Sequence, residues 1–371
     1  MKRIVLLGIL CWVLGGMECG CSALNGYVDA DSDENGSGDR DYLVLFWNLE
    51  NFFDTKFEPG TEDGSFTPVG DKRWGWKRFV NKRNSIAKVL IDIGSKEYSM
   101  PSFPHLVGFC EIENRYVLNQ LIYETPLAYA GYRIVHRDSP DRRGIDVALL
   151  YRKESYRPLE NRFINISPFI IYGANRSSIS GRVQEGTDSN RNEYRTREIL
   201  YSKGVLDNLD TLHVFVNHWP SKFGGEKASA PFREAAARAL RSVCDSITEK
   251  NVNANILIMG DFNDTPRSVV IQGFAKESVI EGPYQKKREG TIKYQGVWEQ
   301  IDMFFVSKNL TDSNEPISTN ERLFKIFKAN YLLERDRTYT GLKPKRTFIG
   351  PRYNGGISDH LPILLRIKRN W

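Results

Sequence analysis

Cysteine, histidine and methionine are scarce, at five each in 371 residues. No Cys-x-x-Cys or His-x-x-x-His spacing occurs, which excludes the common zinc modules built on those repeats. A long lysine and arginine run is also missing, as are zinc-finger and RNA-recognition motifs, so nucleic acid would have to be met by a cleft and not by a basic arm. No internal repeat is evident, which argues against a solenoid or propeller. The apolar run over residues 4–13 is too short to span a bilayer as a permanent helix.

What is present suffices for a sizeable core: 40% of residues are hydrophobic and 12% aromatic. The net charge of +6 favours polyanions such as DNA, RNA or anionic lipid without choosing among them. Met1-Lys2-Arg3, the apolar run, a glycine pair and Cys19-Gly20-Cys21 have the order of an export signal over residues 1–21. By resemblance to bacterial lipoproteins, one of those cysteines is lipidated after cleavage. Ordinary signal cleavage is the alternative, because Glu18 stands where small or apolar residues are expected. The expected location is therefore the periplasm, the outer membrane through a lipid tether, or the extracellular space.

Residues 22–40 are rich in Asp, Ser, Gly and Asn, the composition of a disordered tether. Residues 41–371 then form one large domain. Cys110 falls in a strand and Cys244 in a helix, so both are expected to be isolated buried thiols.

Six strand-like runs each end in polar residues. ILIMGDFNDT (256–265) delivers Asp261 and Asn263, which period-two alternation places on one side of the backbone. YLVLFWNLEN (42–51) delivers Asn48 and Glu50, expected to face one way, and LVGFCEIEN (106–114) delivers Glu111. LHVFVNHW (212–219) delivers Asn217 and His218, and WEQIDMFF (298–305) carries Asp302 among hydrophobic residues. GGISDHLP (355–362) presents Asp359 and His360 before the last apolar run. A buried Asp302 needs a partner, and His360 is the obvious one.

Each run alone could be a polar turn. Their convergence is the evidence, and carboxylates with amide and imidazole partners suit a hard cation such as Mg²⁺, with Mn²⁺ or Ca²⁺ as alternatives, better than zinc. Arg142, Arg143, Arg197 and Lys222 lie in or beside these runs and could grip phosphate oxygens. Helical spacing predicts helices over residues 71–93, 115–123 and 228–248. Residues 177–194 are polar and aperiodic, and predict a mobile loop near the site.

In order along the chain, WNLEN, CEIEN, RGIDVALLYR, NHWPSK, GDFND, QIDMFFVS and SDHLP resemble the motifs of the endonuclease/exonuclease/phosphatase superfamily, the deoxyribonuclease-I-like enzymes, over residues 41–371. The resemblance implies an α/β fold, a four-layer sandwich of two packed, mainly antiparallel sheets flanked by helices. It implies Glu111 as principal metal ligand, with Glu50 and Asp359 near the ion. His360, oriented by Asp302, is implied as general base or phosphate contact. The resemblance further implies that Asp261 positions or deprotonates the attacking water, that Asn263 holds a phosphate oxygen, that Asn48 orients phosphate or ligand, and that His218 protonates the leaving oxygen.

Arg197, Lys222, Asn217 and Arg143 complete the expected substrate contacts. The expected activity is phosphodiester hydrolysis, with DNA or RNA as the leading substrate. An inositol-phosphate phosphatase or sphingomyelinase-like phospholipase is the alternative, and a silent phosphate-binding lipoprotein the remote one. No protein partner is implied, and the chain is expected to be a monomer.

Overall fold

The computed structural model describes residues 41–98, 102–167, 195–277, 280–286 and 289–370. The expected signal over 1–21, the tether over 22–40 and the loop over 177–194 lie outside the described residues.

The chain first lays down β1 (Tyr42–Phe52), β2 (Leu106–Ile112), β3 (Tyr132–His136) and β4 (Asp146–Arg152). It then crosses to a second sheet made of β5 (Tyr156–Ile164), β6 (Ile199–Leu206), β7 (Asp210–His218), β8 (Asn255–Asp261), β9 (Ile280–Glu281) and β10 (Asp302–Ser307). It returns to the first sheet with β11 (Ile317–Ser318), β12 (Phe324–Ile326) and β13 (Ile363–Arg369). The first sheet runs β11-β13-β1-β2-β4-β3, with β12 also on β13, and the second runs β5-β6-β7-β8-β10-β9. Each sheet has one parallel pair, β1 with β2 and β7 with β8, and every other pairing is antiparallel.

The central strands read as unbroken apolar runs because both their faces are buried. Val214, Val216, Leu257, Met259, Phe304 and Val306 share one core with Val44 and Phe46 of the opposite sheet. Their sequence neighbours Phe215, Ile256, Ile258 and Phe305 join a second core with Ala235, Ala236 and Leu240. That second core lies beneath α3 (Glu226–Lys250) and α4 (Val269–Glu277), while α1 (Trp76–Glu97) and α2 (Arg115–Tyr123) cover the first sheet. The result is helices, sheet, sheet, helices, the four layers expected. Gly108 sits where the sheets touch: a Cβ there would lie 2.9 Å from Met259 Sδ and 3.1 Å from Phe46.

α2 has the predicted bounds, and Cys110 and Cys244 are free and buried as expected. α1 begins at Trp76, not at residue 71, because Trp74 is drawn into the core, donating Nε1–H to the Phe53 carbonyl at 3.0 Å, and Arg73 is left-handed at φ 44°. The run over 298–305 is two strands, not one. It breaks at Gln300-Ile301, where Gln300 Nε2 donates to the Tyr284 carbonyl at 2.7 Å and the Ile301 N–H to Thr291 Oγ1 at 3.3 Å.

His105 supports the edge of the first sheet, accepting the Leu43 N–H on Nδ1 at 3.0 Å. Burial, with Arg152 and Arg366 nearby, pushes its pKa down to about 3. The folded pKa is below the unfolded one, so this contribution is full above pH ~6.5 and is lost as pH falls toward 3. Melting curves of the wild type and His105→Gln should therefore differ most at pH 7.5. The gap should narrow by about 2 kcal/mol toward pH 5. A gap constant across that range contradicts this assignment.

Candidate active site

Side-chain alternation sends one row of each central strand into the space between the sheets. Followed to the strand ends, those rows turn polar together. On β1, Val44 and Phe46 lead to Asn48, and on β7, Val214 and Val216 lead to His218. On β8, Leu257 and Met259 lead to Asp261, which is in register with Asp302 at the start of β10. Asn48 Nδ2 bridges the sheets by donating to Asp261 Oδ2 at 2.9 Å.

His360 enters from the turn before β13. Its N–H donates to Ser358 Oγ at 3.0 Å, Ser358 Oγ donates to the Asn48 carbonyl at 2.6 Å, and Trp47 Nε1 donates to the His360 carbonyl at 2.9 Å. The ring is thus clamped to the end of β1. Its Nδ1 lies 2.8 Å from Asp302 Oδ2, the pairing expected from sequence. Nε2 then faces the mouth, 3.9 Å from Asp261 Oδ2. His218 Nε2 approaches the same oxygen at 3.8 Å and Glu111 Oε1 at 3.8 Å.

Burial opposes charge on His360, yet Asp302, Asp261 and Asp359 outweigh it and hold its pKa well above the ordinary value. Burial pushes Asp261 up to about 7, against the pull of His360. His218 is driven the other way, well below its ordinary value, by burial and by Arg197 and Arg143. The mouth therefore holds one cationic and one neutral imidazole about a carboxylate poised near neutrality.

Beside it lies a set of carboxylates. Glu50 is buried, its Oε2 accepting the Thr347 N–H at 2.6 Å and its Oε1 facing Arg346 Nε at 3.2 Å. Arg346 also donates to Asp359 Oδ2 at 2.7 Å. Lys82 donates to the Glu50 carbonyl at 2.6 Å and Thr347 Oγ1 at 2.8 Å. Burial and Asp359 raise Glu50 to about 7, partly offset by Lys82 and Arg346. A divalent cation would relieve that like-charge strain, so Glu50, Asp359 and Glu111 suit a hard cation chemically. Sequence reasoning missed Lys82, Arg346 and Thr347. Lys82 could have been noticed, because helical spacing puts it on the same stripe as Phe79, Ile86 and Ile93.

Alternation fails where the backbone is left-handed. Glu50, Asn51, Glu111 and Asn263 have φ of 47°, 58°, 56° and 50°, a conformation costing on the order of 1–3 kcal/mol each and concentrated at functional sites. Hence Asn48 and Glu50 do not share a direction: Asn48 reaches across to Asp261 while Glu50 turns to Thr347 and Arg346. Asn263 likewise lies beyond the strand, in a turn whose N–H donates to Asp261 Oδ1 at 2.8 Å and whose Nδ2 donates to the Trp219 carbonyl at 2.9 Å.

The expected substrate contacts divide. Asn217 has the parity opposite to His218 and is fully buried on the outer face, held by Trp219 Nε1 at 3.2 Å and the Met259 carbonyl at 3.3 Å, so it does not face the mouth. Arg197 is also buried, donating to Asp141 Oδ2 at 3.0 Å and to the carbonyls of His218 and Trp219 at 3.2 and 2.8 Å. It braces the end of β7 and is not an open phosphate hand. Arg143 is exposed beside Asp141 at 3.6 Å, Arg142 pairs with Glu62, and half-buried Lys222 lies 3.2 Å from Asp264 Oδ1.

A model described as the Endonuclease/Exonuclease/phosphatase family matches residues 43–369. No curated protein matches the sequence. Among solved structures, zebrafish (D. rerio) TDP2 complexed with a single-strand DNA product is 13% identical with a TM-score of 0.52, covering 89% of this chain and 100% of its own. A mannosyl-6-phosphatase from Bacteroides thetaiotaomicron is 15% identical with a TM-score of 0.52, covering 88% and 99%. SmcL is 13% identical with a TM-score of 0.53, covering 88% and 99%. At these identities the likeness is one of fold.

Proposed function

The chain belongs to the endonuclease/exonuclease/phosphatase family, hydrolases of phosphoester bonds, and from that premise we propose an exported, Mg²⁺-dependent phosphodiesterase that cuts DNA or RNA. The observation carrying this reading is the pair of imidazoles, His218 and His360, whose Nε2 atoms stand 3.8 and 3.9 Å from one oxygen of Asp261. Diester hydrolysis needs an activated water, charge stabilisation at phosphorus and a proton for the leaving oxygen.

In this proposal Asp261, raised toward neutrality, takes the proton of the attacking water, while Asn48 fixes the carboxylate. His360, kept cationic by Asp302, neutralises the phosphorane and contacts a phosphate oxygen. His218 is neutral in the free protein. An anionic phosphate beside it opposes the burial and Arg197 charge that keep it so, and it then carries the proton given to the leaving oxygen. Glu111, Glu50 and Asp359 would hold the cation. Bound there, it supplies Lewis-acid stabilisation of phosphate charge.

The alternative is a phosphatase of inositol phosphates or a sphingomyelinase-like phospholipase, since a fold shared by TDP2, a sugar phosphatase and SmcL does not choose the substrate. A silent ligand-binding role is disfavoured by the complete set of Asn48, Glu111, His218, Asp261, Asp302 and His360. Arg143 and Lys222 remain the proposed rim contacts for the substrate backbone. Export and a lipid tether rest on residues 1–21, and the working unit is taken as a monomer.

The test is a panel of duplex DNA, RNA, inositol phosphates and sphingomyelin with Mg²⁺. Polynucleotide should be cut, with affinity falling steeply as salt rises because several phosphates are held at once. Intact DNA and RNA beside a hydrolysed inositol phosphate or sphingomyelin transfers the assignment to the alternative.

A further inference from the structure

No zinc spacing exists along this chain, yet the sandwich assembles a zinc-type donor set through space. Cys110 Sγ, a nitrogen of His218 and a carboxylate oxygen of Asp261 all lie within 4.8 Å of one another, and all three residues are buried. They come from β2, β7 and β8: β7 and β8 are neighbours in the second sheet and β2 faces them from the first, so that their inward rows converge at the mouth. Thiol, imidazole and one carboxylate are the ligands that zinc selects at about 2.0–2.3 Å, whereas a sulfur ligand does not suit Mg²⁺.

A second observation points the same way. His218 is 4% exposed, and its Nδ1 is buried without a hydrogen-bond partner among the described residues. A catalytic imidazole normally has its second nitrogen fixed by an acceptor, as Asp302 fixes His360. Nδ1 of His218 has no such acceptor among the described residues, so the ring keeps a buried nitrogen that a metal would satisfy. Cys110 is a free thiol and has no part in the proposed hydrolysis.

We propose that Cys110, His218 and Asp261 form an inhibitory site for a borderline-soft dication, Zn²⁺ above all. As sulfur binds the ion, the Cys110 S–H proton leaves to solvent. The ion then occupies the two groups that activate the water and protonate the leaving oxygen, so hydrolysis stops while the hard-cation carboxylates stay filled. Inhibition should appear at zinc concentrations far below the Mg²⁺ present, and excess Mg²⁺ should not reverse it. The site stands on geometry alone, whereas its inhibitory effect rests on the reading of Asp261 and His218 given above.

The test uses the full chain and a readout independent of catalysis. With Co²⁺ as probe and Mg²⁺ in excess, the wild type should show a near-ultraviolet thiolate-to-cobalt charge-transfer band that Zn²⁺ removes. Cys110→Ala should lose the part of the band due to this site while keeping Mg²⁺-supported activity, and should need at least tenfold more Zn²⁺ for half inhibition. Cys110→Ser serves if the alanine variant melts early, since a hydroxyl keeps the volume but not the soft donor. A band of equal intensity in wild type and variant, or no thiolate band in the wild type at cobalt saturation, overturns the site. Loss of the band without any change in zinc sensitivity overturns the inhibitory role and leaves the hydrolase reading untouched.

Discussion

Replacing His360 with alanine lowers turnover by about two to three orders of magnitude, the usual worth of one group aimed at the charge of the transition state. Asp302 supports the charge of this ring at 2.8 Å, and the backbone of His360 is tied to Ser358 and Trp47 independently of the side chain. The local chain path should therefore survive the substitution. Asp302→Asn should do comparable harm indirectly, by removing the charge that keeps the imidazole protonated. Single-turnover rates on a generic phosphodiester, with circular dichroism to show intact folding, check both. Near-wild-type turnover in His360→Ala removes the residue from the mechanism.

Exhaustive chelation abolishes activity, and Mg²⁺ or Mn²⁺ restores it. The carboxylates proposed to hold the ion are hard donors, and burial with Asp359 already drives Glu50 up to about 7 without a cation. Glu111→Gln should weaken metal binding more than Glu50→Gln. Glu111 has one oxygen toward His218 in the mouth and the other on the Asn51 N–H, whereas both oxygens of Glu50 are taken, by Thr347 and Arg346. Titration calorimetry of each variant with Mg²⁺ measures the difference. Full activity after chelation, with no metal detected in the protein, contradicts the assignment.

The parts of this site legible in sequence are those governed by strand parity. Asp261, His218, Asp302 and Asn48 stand at the ends of apolar runs on the inward side, which period two sets, and the packing of the two sheets brings them together. Parity also explains an error, for Asn217, next to His218, must face the opposite way, and it is spent on Trp219 and Met259. Glu50 and Asn263 were misplaced for another reason, since left-handed backbone breaks the alternation where the strands end.

Lys82 is legible as a buried helix position, but its partner and the whole role of Arg346 are not, because the partners are remote in sequence. Lys82 meets Thr347 across 265 residues and Arg346 meets Glu50 across 296. The first helix starts at Trp76 and not at residue 71 because Trp74 is pulled inward, which periodicity cannot show.

The central claim is that His218 and His360 serve one diester with different tasks, and leaving-group dependence tests it most directly. Rates for His218→Ala and His360→Ala should be compared on an activated nitrophenyl diester and on a dinucleotide, whose leaving oxygen is far more basic. If His218 protonates that oxygen, its variant loses little on the activated ester and about 10²–10⁴-fold on the dinucleotide, while His360→Ala is impaired on both. An equal loss for His218→Ala on the two esters contradicts the account.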